Sequence, residues 1–233
     1  LHAFLFGLLK RHGAAVGLPE ALSVLDDDAV EAVLEEAVAE LGVRCPAKRV
    51  LECLNDSRLV AGTAGRSFAP HELVAKAFHA KLRRAGLLTF DTNLHYGEKL
   101  VALMAARDAG GKVATEALWP YRALFVDEVQ DSSAADWRIY DAMPCVSKTM
   151  VGDSDQSIYA FRGGDPAEFT RRAAGGGRGE GVFFLESNYR SGYMVCDKAN
   201  LLIRHNQGRT PKATVPTRDG GLVSAHAFLN PAA

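Results

Sequence analysis

Three short segments of this 233-residue chain bring together side chains whose types and spacing could do chemistry. The first is Leu124-Phe125-Val126-Asp127-Glu128-Val129-Gln130-Asp131, an apolar run ending in adjacent carboxylates. After a strand, such a pair sits at the C-terminal edge of a sheet, where open α/β folds bind ligands. There one carboxylate can hold Mg²⁺ through water while its neighbour orients and deprotonates an attacking water. A helix N-cap or a solvated turn accounts for an acidic pair about as well. The second segment, Met150 to Gly164, offers Gln156 as an amide donor to a phosphate oxygen or a water. It also interleaves Tyr159 and Phe161 with Arg162, a combination that stacks bases and holds a backbone, although both rings equally suit a core. The third, Leu185-Glu186-Ser187-Asn188-Tyr189-Arg190-Ser191, places an arginine able to reach a phosphate beside a tyrosine able to stack on a base. A surface salt bridge next to a buried tyrosine is the plainer alternative.

These side chains need elements to position them. Residues 1 to about 110 read as helical. Val30, Val33, Leu34, Ala37, Val38 and Leu41 recur at helical spacing behind the caps Asp26 to Asp28, and Gly42 supplies a stop. The eight acids between Glu20 and Glu40 lie mostly on polar positions, as on a solvated helix face. A second helix starts at Pro70, with Leu73, Val74, Ala77, Phe78 and Leu82 on one stripe and Gly86 as its stop. A third follows Asp91 and carries Leu94, Leu100, Val101 and Met104. From Ala123 the pattern changes. Ala123 to Val126, Thr149 to Val151, Val182 to Leu185 and Leu222 to Phe228 read as buried strands. Between them run helices capped by Ser132 or Ser133, opened by Asp165-Pro166, and capped by Ser191 ahead of Val195, Ala199 and Leu202. This alternation predicts a parallel sheet with helices on its faces, and Gly175 to Gly181 reads as a surface loop.

Composition bounds the rest. At 48% hydrophobic and 24% charged, with formal net charge -1, the chain is ordinary for a globular protein. No run approaches the roughly 20 apolar residues needed to span a bilayer, and the apolar start meets Lys10 and Arg11 at once, unlike a signal peptide. The expectation is a cytoplasmic protein with no membrane partner. Cys45, Cys53, Cys145 and Cys196 form no C-x-x-C pair, so buried inert thiols are expected. The near-neutral total hides an asymmetry: residues 1–170 carry 18 basic and 24 acidic side chains, the remainder nine and four. An anionic partner would prefer the C-terminal part. The first residue is Leu1, which suggests a start inside a longer protein.

Taken together and in order, the three segments resemble the D-E-x-Q-D, V-G-D-x-x-Q-S-I-Y-x-[FW]-R-G and L-x-x-N-Y-R-S boxes of superfamily 1 DNA helicases of the UvrD/Rep/PcrA type. Leu1-His2-Ala3-Phe4 looks like the tail of that family's T-F-H-[SA]-F motif, and Leu88-Thr89-Phe90-Asp91 loosely resembles its D-F-D-D-L element. The resemblance implies an α/β fold, a RecA-like P-loop NTPase parallel sheet with a helical insertion domain, incomplete at both ends. Residues 1–18 and 87–175 would belong to the first RecA-like domain, 19–86 to a helical insertion and 176–233 to the start of a second RecA-like domain.

The resemblance also implies ATP and Mg²⁺ as cofactors, single-stranded DNA and duplex/single-strand junctions as substrates, and 3′-to-5′ movement. Under it Asp127 and Glu128 form the Mg²⁺ site, Glu128 also serving as catalytic base, Gln130 and Asp131 couple the nucleotide site to DNA, and Gln156 senses the γ-phosphate. His2, Tyr159, Phe161 and Arg162 lie along the DNA path, Phe161 standing where the family often has Trp. Tyr189 packs on adenine and Arg190 acts as an arginine finger. One departure is plain: no G-x-x-x-x-G-K-[ST] loop occurs, since Gly111-Lys112 is followed by Val113. In the family that loop precedes the T-F-H motif, so it is expected upstream of Leu1, and the later arginine-bearing motifs beyond Ala233. The alternative is a non-hydrolysing DNA- or partner-binding module. Against it, a pure binding module has no chemical need for Glu128, Gln156 and Arg190 together.

Overall fold

The computed structural model describes residues 1–44, 50, 54, 70–106, 119–157, 164–175, 181–206 and 212–225. The chain divides into two compact units, Leu1–Leu124 with Ala135–Lys148, and Phe125–Ala134 with Thr149–Ala233. Among the described residues no helix is long and apolar enough to cross a membrane.

The first unit is mainly helical, with α1 (His2–His12), α2 (Asp27–Leu41), α3 (Pro70–Ala85), α4 (Phe90–Ala105) and most of α5 (Ala134–Ala142). Each boundary has a local chemical cause. Asp26 Oδ1 accepts from Ala29 N at 2.9 Å, and Asp27 and Asp28 place negative charge in the first turn of α2. Gly42 closes that helix at φ 61°. After α3, Gly86 takes φ 69°, and a Cβ there would stand 1.9 Å from the Ala21 carbonyl oxygen, so only glycine fits. The close approach allows β1 (Ser23–Val24) to pair in parallel with β2 (Leu87–Leu88), Ser23 opposite Leu87. The helix expected after Asp91 begins earlier, at Phe90, because Thr89 and Thr92 cap each other reciprocally: Thr92 N donates to Thr89 Oγ1 at 3.1 Å and Thr89 N to Thr92 Oγ1 at 2.8 Å.

Two apolar clusters hold this unit. In one, Leu5, Leu8 and Leu9 of α1 pack with Leu100, Val101 and Met104 of α4, joined by Trp119, Ile139 and Met143. Gly97 makes the approach possible, since a Cβ on it would lie 2.8 Å from Leu5 Cδ1. In the other, Leu34 and Ala37 of α2 meet Val74, Ala75, Phe78 and Leu82 of α3, along with Val50 and Leu54. Leu73, assigned from the sequence to the buried stripe of α3, is instead 39% exposed. Lys81 spans the rim of this pair, 3.0 Å from Glu36 and 2.7 Å from Glu40.

Strand β3 (Ala123–Val126) pairs with β4 (Ser147–Met150). In the second unit, Val126 O accepts from Val151 N at 2.8 Å and Val151 O accepts from Val129 N at 3.0 Å, so the two segments advance together in the parallel sense. The same unit holds α6 (Pro166–Gly175), capped by Asp165 Oδ1 on Glu168 N at 3.1 Å, and α7 (Tyr193–Ile203). It also holds β5 (Ser187–Asn188), parallel to β6 (Val215–Pro216).

Several expectations need correction. The strands at the acidic pair are not buried as expected, Phe125 being 75% and Val151 49% exposed, and β4 starts at Ser147, two residues before the predicted strand, and ends at Met150. Val182 to Leu185 forms no strand, with Phe183 88% and Leu185 92% exposed. An apolar run becomes a strand only where a neighbour takes its N–H and C=O groups, and among the described residues this one has no such ladder. Leu222 and Val223 are likewise exposed and outside any strand, while residues 226–228 lie outside the described residues. The N-cap of α7 is Gly192, not Ser191, and of its residues only Cys196 is buried; Val195 and Leu202 face solvent. The pairing is thus parallel as expected, but the sheets among the described residues are two-stranded. Cys196 is buried and Cys145 half-buried; Cys45 and Cys53 lie outside the described residues.

The α2–α3 core buries an imidazole, a group whose ordinary pKa lies near neutrality. His79 is buried with its Nε2 bonded to the Leu54 carbonyl oxygen. Burial pushes its imidazole down from 6.5 to about 4, against the opposing pull of that carbonyl. The folded state therefore keeps the ring neutral while the unfolded chain protonates it. Stability present above the unfolded value of 6.5 is lost as pH falls towards 4, an effect of about 3 kcal/mol. Urea unfolding between pH 7 and pH 4 should be steeper in the native sequence than in His79→Leu; equal pH slopes would show that the ring does not titrate in this window.

Candidate functional site

The acidic pair sits where β3 ends, and the backbone there is strained. Glu128 adopts φ 51°, ψ 38°, the left-handed region, and is the one non-glycine with positive φ among the described residues. Such a conformation costs on the order of 1–3 kcal/mol and persists only where neighbours enforce it. Here Asp127 Oδ1 accepts from Glu128 N at 2.9 Å, and the chain passes at once into a short 3₁₀ turn, Val129–Asp131. Both carboxylates are exposed.

Gln130 organises what surrounds them. Its side chain is 1% exposed and both ends of its amide are satisfied. Nε2 donates to Glu128 Oε2 at 2.7 Å, and Oε1 accepts from Asp153 N at 3.0 Å. One buried amide therefore ties the acidic pair to the loop that follows β4. Gly152 is shaped to this contact: a Cβ there would stand 2.7 Å from Gln130 Oε1 and 2.9 Å from Val129 Cγ1. The Ser157 hydroxyl adds a bond to the Gln130 carbonyl oxygen at 3.4 Å. Asp131 is half-buried, and its Oδ1 has no hydrogen-bond partner among the described residues.

In the loop itself, Asp153 gathers donors. Its Oδ1 accepts from Asp155 N at 2.9 Å and from Lys212 Nζ, and its Oδ2 accepts from Gln156 Nε2 at 2.8 Å. Partial burial works to raise this carboxyl, but hydrogen bonds from Lys212, Gln156 and the Asp155 backbone, with the Lys212 charge, hold it below the ordinary carboxylate range. Gln156 is exposed and its amide turns back onto Asp153.

The third segment is held by Asn188, whose Oδ1 accepts from Arg190 N at 2.9 Å and Ser191 N at 2.8 Å. Arg218 donates to the Arg190 carbonyl oxygen. The first amides of α7 are already occupied, Tyr193 N by Arg218 O at 3.1 Å and Met194 N by Gly220 O at 3.0 Å. The tightness of this turn excludes a side chain at Gly192, where a Cβ would lie 2.5 Å from Gly220 O. Tyr189 is 76% exposed, its ring open for stacking, and Arg190 is exposed.

In the first unit His2 is half-buried, its ring edge-on to Phe90 with centroids 5.3 Å apart. Burial lowers its pKa below the usual histidine value in spite of Asp136, and its carbonyl oxygen accepts from Asn93 Nδ2 at 3.0 Å. Tyr159, Phe161 and Arg162 lie outside the described residues. Thus Asp127, Glu128, Gln130, Asp131 and Gln156 share one hydrogen-bonded neighbourhood, and Tyr189 and Arg190 stand on a separately braced turn. Asp153, Gly152, Asn188 and Lys212 were not singled out from the sequence. The first three lie within or beside the quoted boxes, while Lys212 carries no local signal.

A family model, the UvrD/REP helicase N-terminal domain, matches residues 1–174. The chain belongs to this family. It is 28% identical to an ATP-dependent DNA helicase PcrA of Leuconostoc citreum, over 91% of this chain and 29% of that protein. It is 28% identical to an ATP-dependent DNA helicase UvrD1 of Mycobacterium tuberculosis, over 91% of this chain and 30% of the relative. A RecBCD enzyme subunit RecB of Mycolicibacterium smegmatis is 27% identical over 92% of this chain and 21% of its own length. The chain therefore spans less than a third of each of these relatives.

The donor set can be compared with the cofactors the family implies. Among the described residues no group of three or more His, Cys, Asp or Glu is gathered into a protein-only metal cage. Two neighbouring carboxylates at a strand end suit Mg²⁺, which keeps several waters and takes substrate phosphates as ligands. The open Tyr189 ring and exposed Arg190 suit a base and a phosphate. Residues 1–233 do not contain the glycine-rich lysine loop that would cradle a triphosphate.

Gly152→Ala should destabilise the chain by about 1–3 kcal/mol, the usual range for overpacking, by pushing Gln130 off the Asp153 amide. Urea denaturation checks this, and a midpoint equal to that of the native sequence would contradict the close approach.

Proposed function

We propose that this chain carries the acidic-pair, glutamine-sensor and arginine segments of an ATP-dependent 3′-to-5′ DNA helicase, coupling Mg-ATP hydrolysis to movement along single-stranded DNA in the cytoplasm. The observation that carries the reading is the Gln130 bridge, which links the Glu128 carboxylate to the Asp153–Gln156 loop in a member of the UvrD/REP helicase family. Bound Mg²⁺ would neutralise phosphate charge and polarise the phosphoryl oxygens. Asp127 is its proposed ligand, with Glu128 beside it.

Glu128 is the general base: Gln130 fixes its Oε2, and Oε1 takes the proton of the attacking water. Gln156 reports on the γ-phosphate by exchanging its bond to Asp153 for one to a phosphate oxygen. Tyr189 packs on adenine, and Arg190 stabilises charge developing on the transferred phosphoryl, a role worth on the order of 10³–10⁵ in rate in other phosphate-transfer enzymes. Gln130 and Asp131 couple this chemistry to DNA, which His2, Tyr159, Phe161 and Arg162 contact; each base stacked on an aromatic ring contributes about 1–3 kcal/mol. In domain terms, residues 1–18 and 87–175 are assigned to a first RecA-like domain, 19–86 to a helical insertion and 176–233 to a second RecA-like domain. Single-stranded DNA and its junctions with duplex are the proposed substrates.

In a polypeptide joining this chain to a phosphate-binding loop, Glu128→Gln should lower DNA-stimulated ATPase at least 10²-fold, the usual scale for a general base, while Mg-ATP binding persists. Duplexes with 3′ and 5′ single-stranded tails test polarity, and unwinding from 5′ tails alone would overturn it. Residues 1–233 by themselves should bind Mg-ATP weakly and turn it over negligibly, because the backbone cradle and lysine are missing from this sequence. Clear ATPase from this chain, abolished by Glu128→Gln, would show that it cradles the triphosphate by other means.

A further inference from the structure

Lys212 belongs to none of the three segments, yet it reaches the most connected carboxylate of the sensor loop. It bonds Asp153 and stands 3.6 Å from Asp155 Oδ2, with its side chain 23% exposed and that of Asp155 7% exposed. A lysine placed between two carboxylates in a partly desolvated position is worth more than a surface pair, and removing it leaves like charges facing each other. Its position in the chain matters as much. Two residues on, Thr214 is gripped from both sides by Asn200, whose Nδ2 donates to Thr214 O at 3.0 Å and whose Oδ1 accepts from Thr214 N at 3.4 Å. Val215 and Pro216 then form β6, paired with Ser187 and Asn188 of β5. Asn188 in turn holds the amides of Arg190 and Ser191.

We propose that Lys212 is a positioning residue that ties the Gln156 sensor loop to the Arg190 turn. It does so by clamping Asp153 at one end while β6, three residues further along, is registered against β5 at the other. The inference rests on the functional reading given above for Gln156 and Arg190, and extends it by naming the residue that makes their positions interdependent. The carboxylate of Asp153 is the pivot, since the oxygen that accepts Gln156 belongs to the same group that Lys212 holds. With Lys212 in place, Asp153 remains oriented to accept the Gln156 amide. Without it, Asp153 Oδ1 keeps only the Asp155 amide, and the carboxylate holds the Gln156 amide less firmly.

The test uses residues 1–233 and no nucleotide, so its outcome is separate from that of the hydrolysis assays. In ¹⁵N spectra of residues 1–233, Lys212→Met should shift the Gln156 side-chain amide and the Arg190 backbone amide, and Lys212→Arg should restore both. Asp153→Asn should shift the same two groups, and the double variant should add no further displacement. Unmoved Gln156 and Arg190 signals in a folded Lys212→Met chain, or no rescue by arginine, would overturn the proposal. Should the variants fail to fold, the native chain still decides: ¹³C titration of the Asp153 carboxyl should fall below the usual aspartate range, and a titration at the ordinary value would overturn the clamp. Intact coupling in these spectra with no hydrolysis in the complete polypeptide would instead refute the ATPase reading alone.

Discussion

A single buried amide, that of Gln130, organises the polar groups around the acidic pair of the second unit. Gln130 is shut away from water, so each of its polar ends must find a protein partner or cost roughly 1–3 kcal/mol unsatisfied. It finds the Glu128 carboxylate at one end and the Asp153 amide at the other. That double commitment explains features that look unrelated in isolation. Gly152 must be glycine because Gln130 occupies the space a Cβ would take. Glu128 tolerates a left-handed backbone because its side chain is held from Gln130 and its amide from Asp127. Asp153 sits where its carboxylate can collect Gln156, Asp155 and Lys212 because its own amide is already anchored.

Within the first unit the governing constraint is different. There packing between helices does the work, with polar contacts confined mostly to the rims. Gly97 lets α1 and α4 close on Leu5, and the α2–α3 core is apolar apart from His79. The Lys81 bonds to Glu36 and Glu40 raise the lysine pKa, but they lie at the solvent boundary, where ion pairs contribute little to stability. The acidic charge of α2 is thus best understood as a solvated helix face, as its spacing suggested.

How much was legible beforehand depended on whether the cause was local. Helix ends were readable because caps and stops are local: Asp26, Gly42, Pro70, Gly86 and Asp165 act through their own backbone neighbours. The start of α4 was misplaced because a reciprocal Thr89–Thr92 cap lacks the usual acidic partner of a capping box. The apolar stretch Val182 to Leu185 misled because hydrophobicity cannot say whether a partner strand exists. For the site, residue types and order name Asp127, Glu128, Gln130, Gln156 and Arg190 only as candidates, and the family match over residues 1–174, which takes in the first two boxes, agrees with the resemblance they suggested.

From the sequence alone came the family, the helical first part, the strand leading into the acidic pair and the side chains proposed to act on phosphates. Each is written in contiguous residues or in caps a few positions apart. Tertiary structure decided which of those groups touch. Gln130 and Asp153 are 23 positions apart, and Lys212 lies 59 beyond Asp153. No periodicity spans such distances, so the bridge and the clamp exist only once the chain has folded and desolvation obliges each polar group to take a partner.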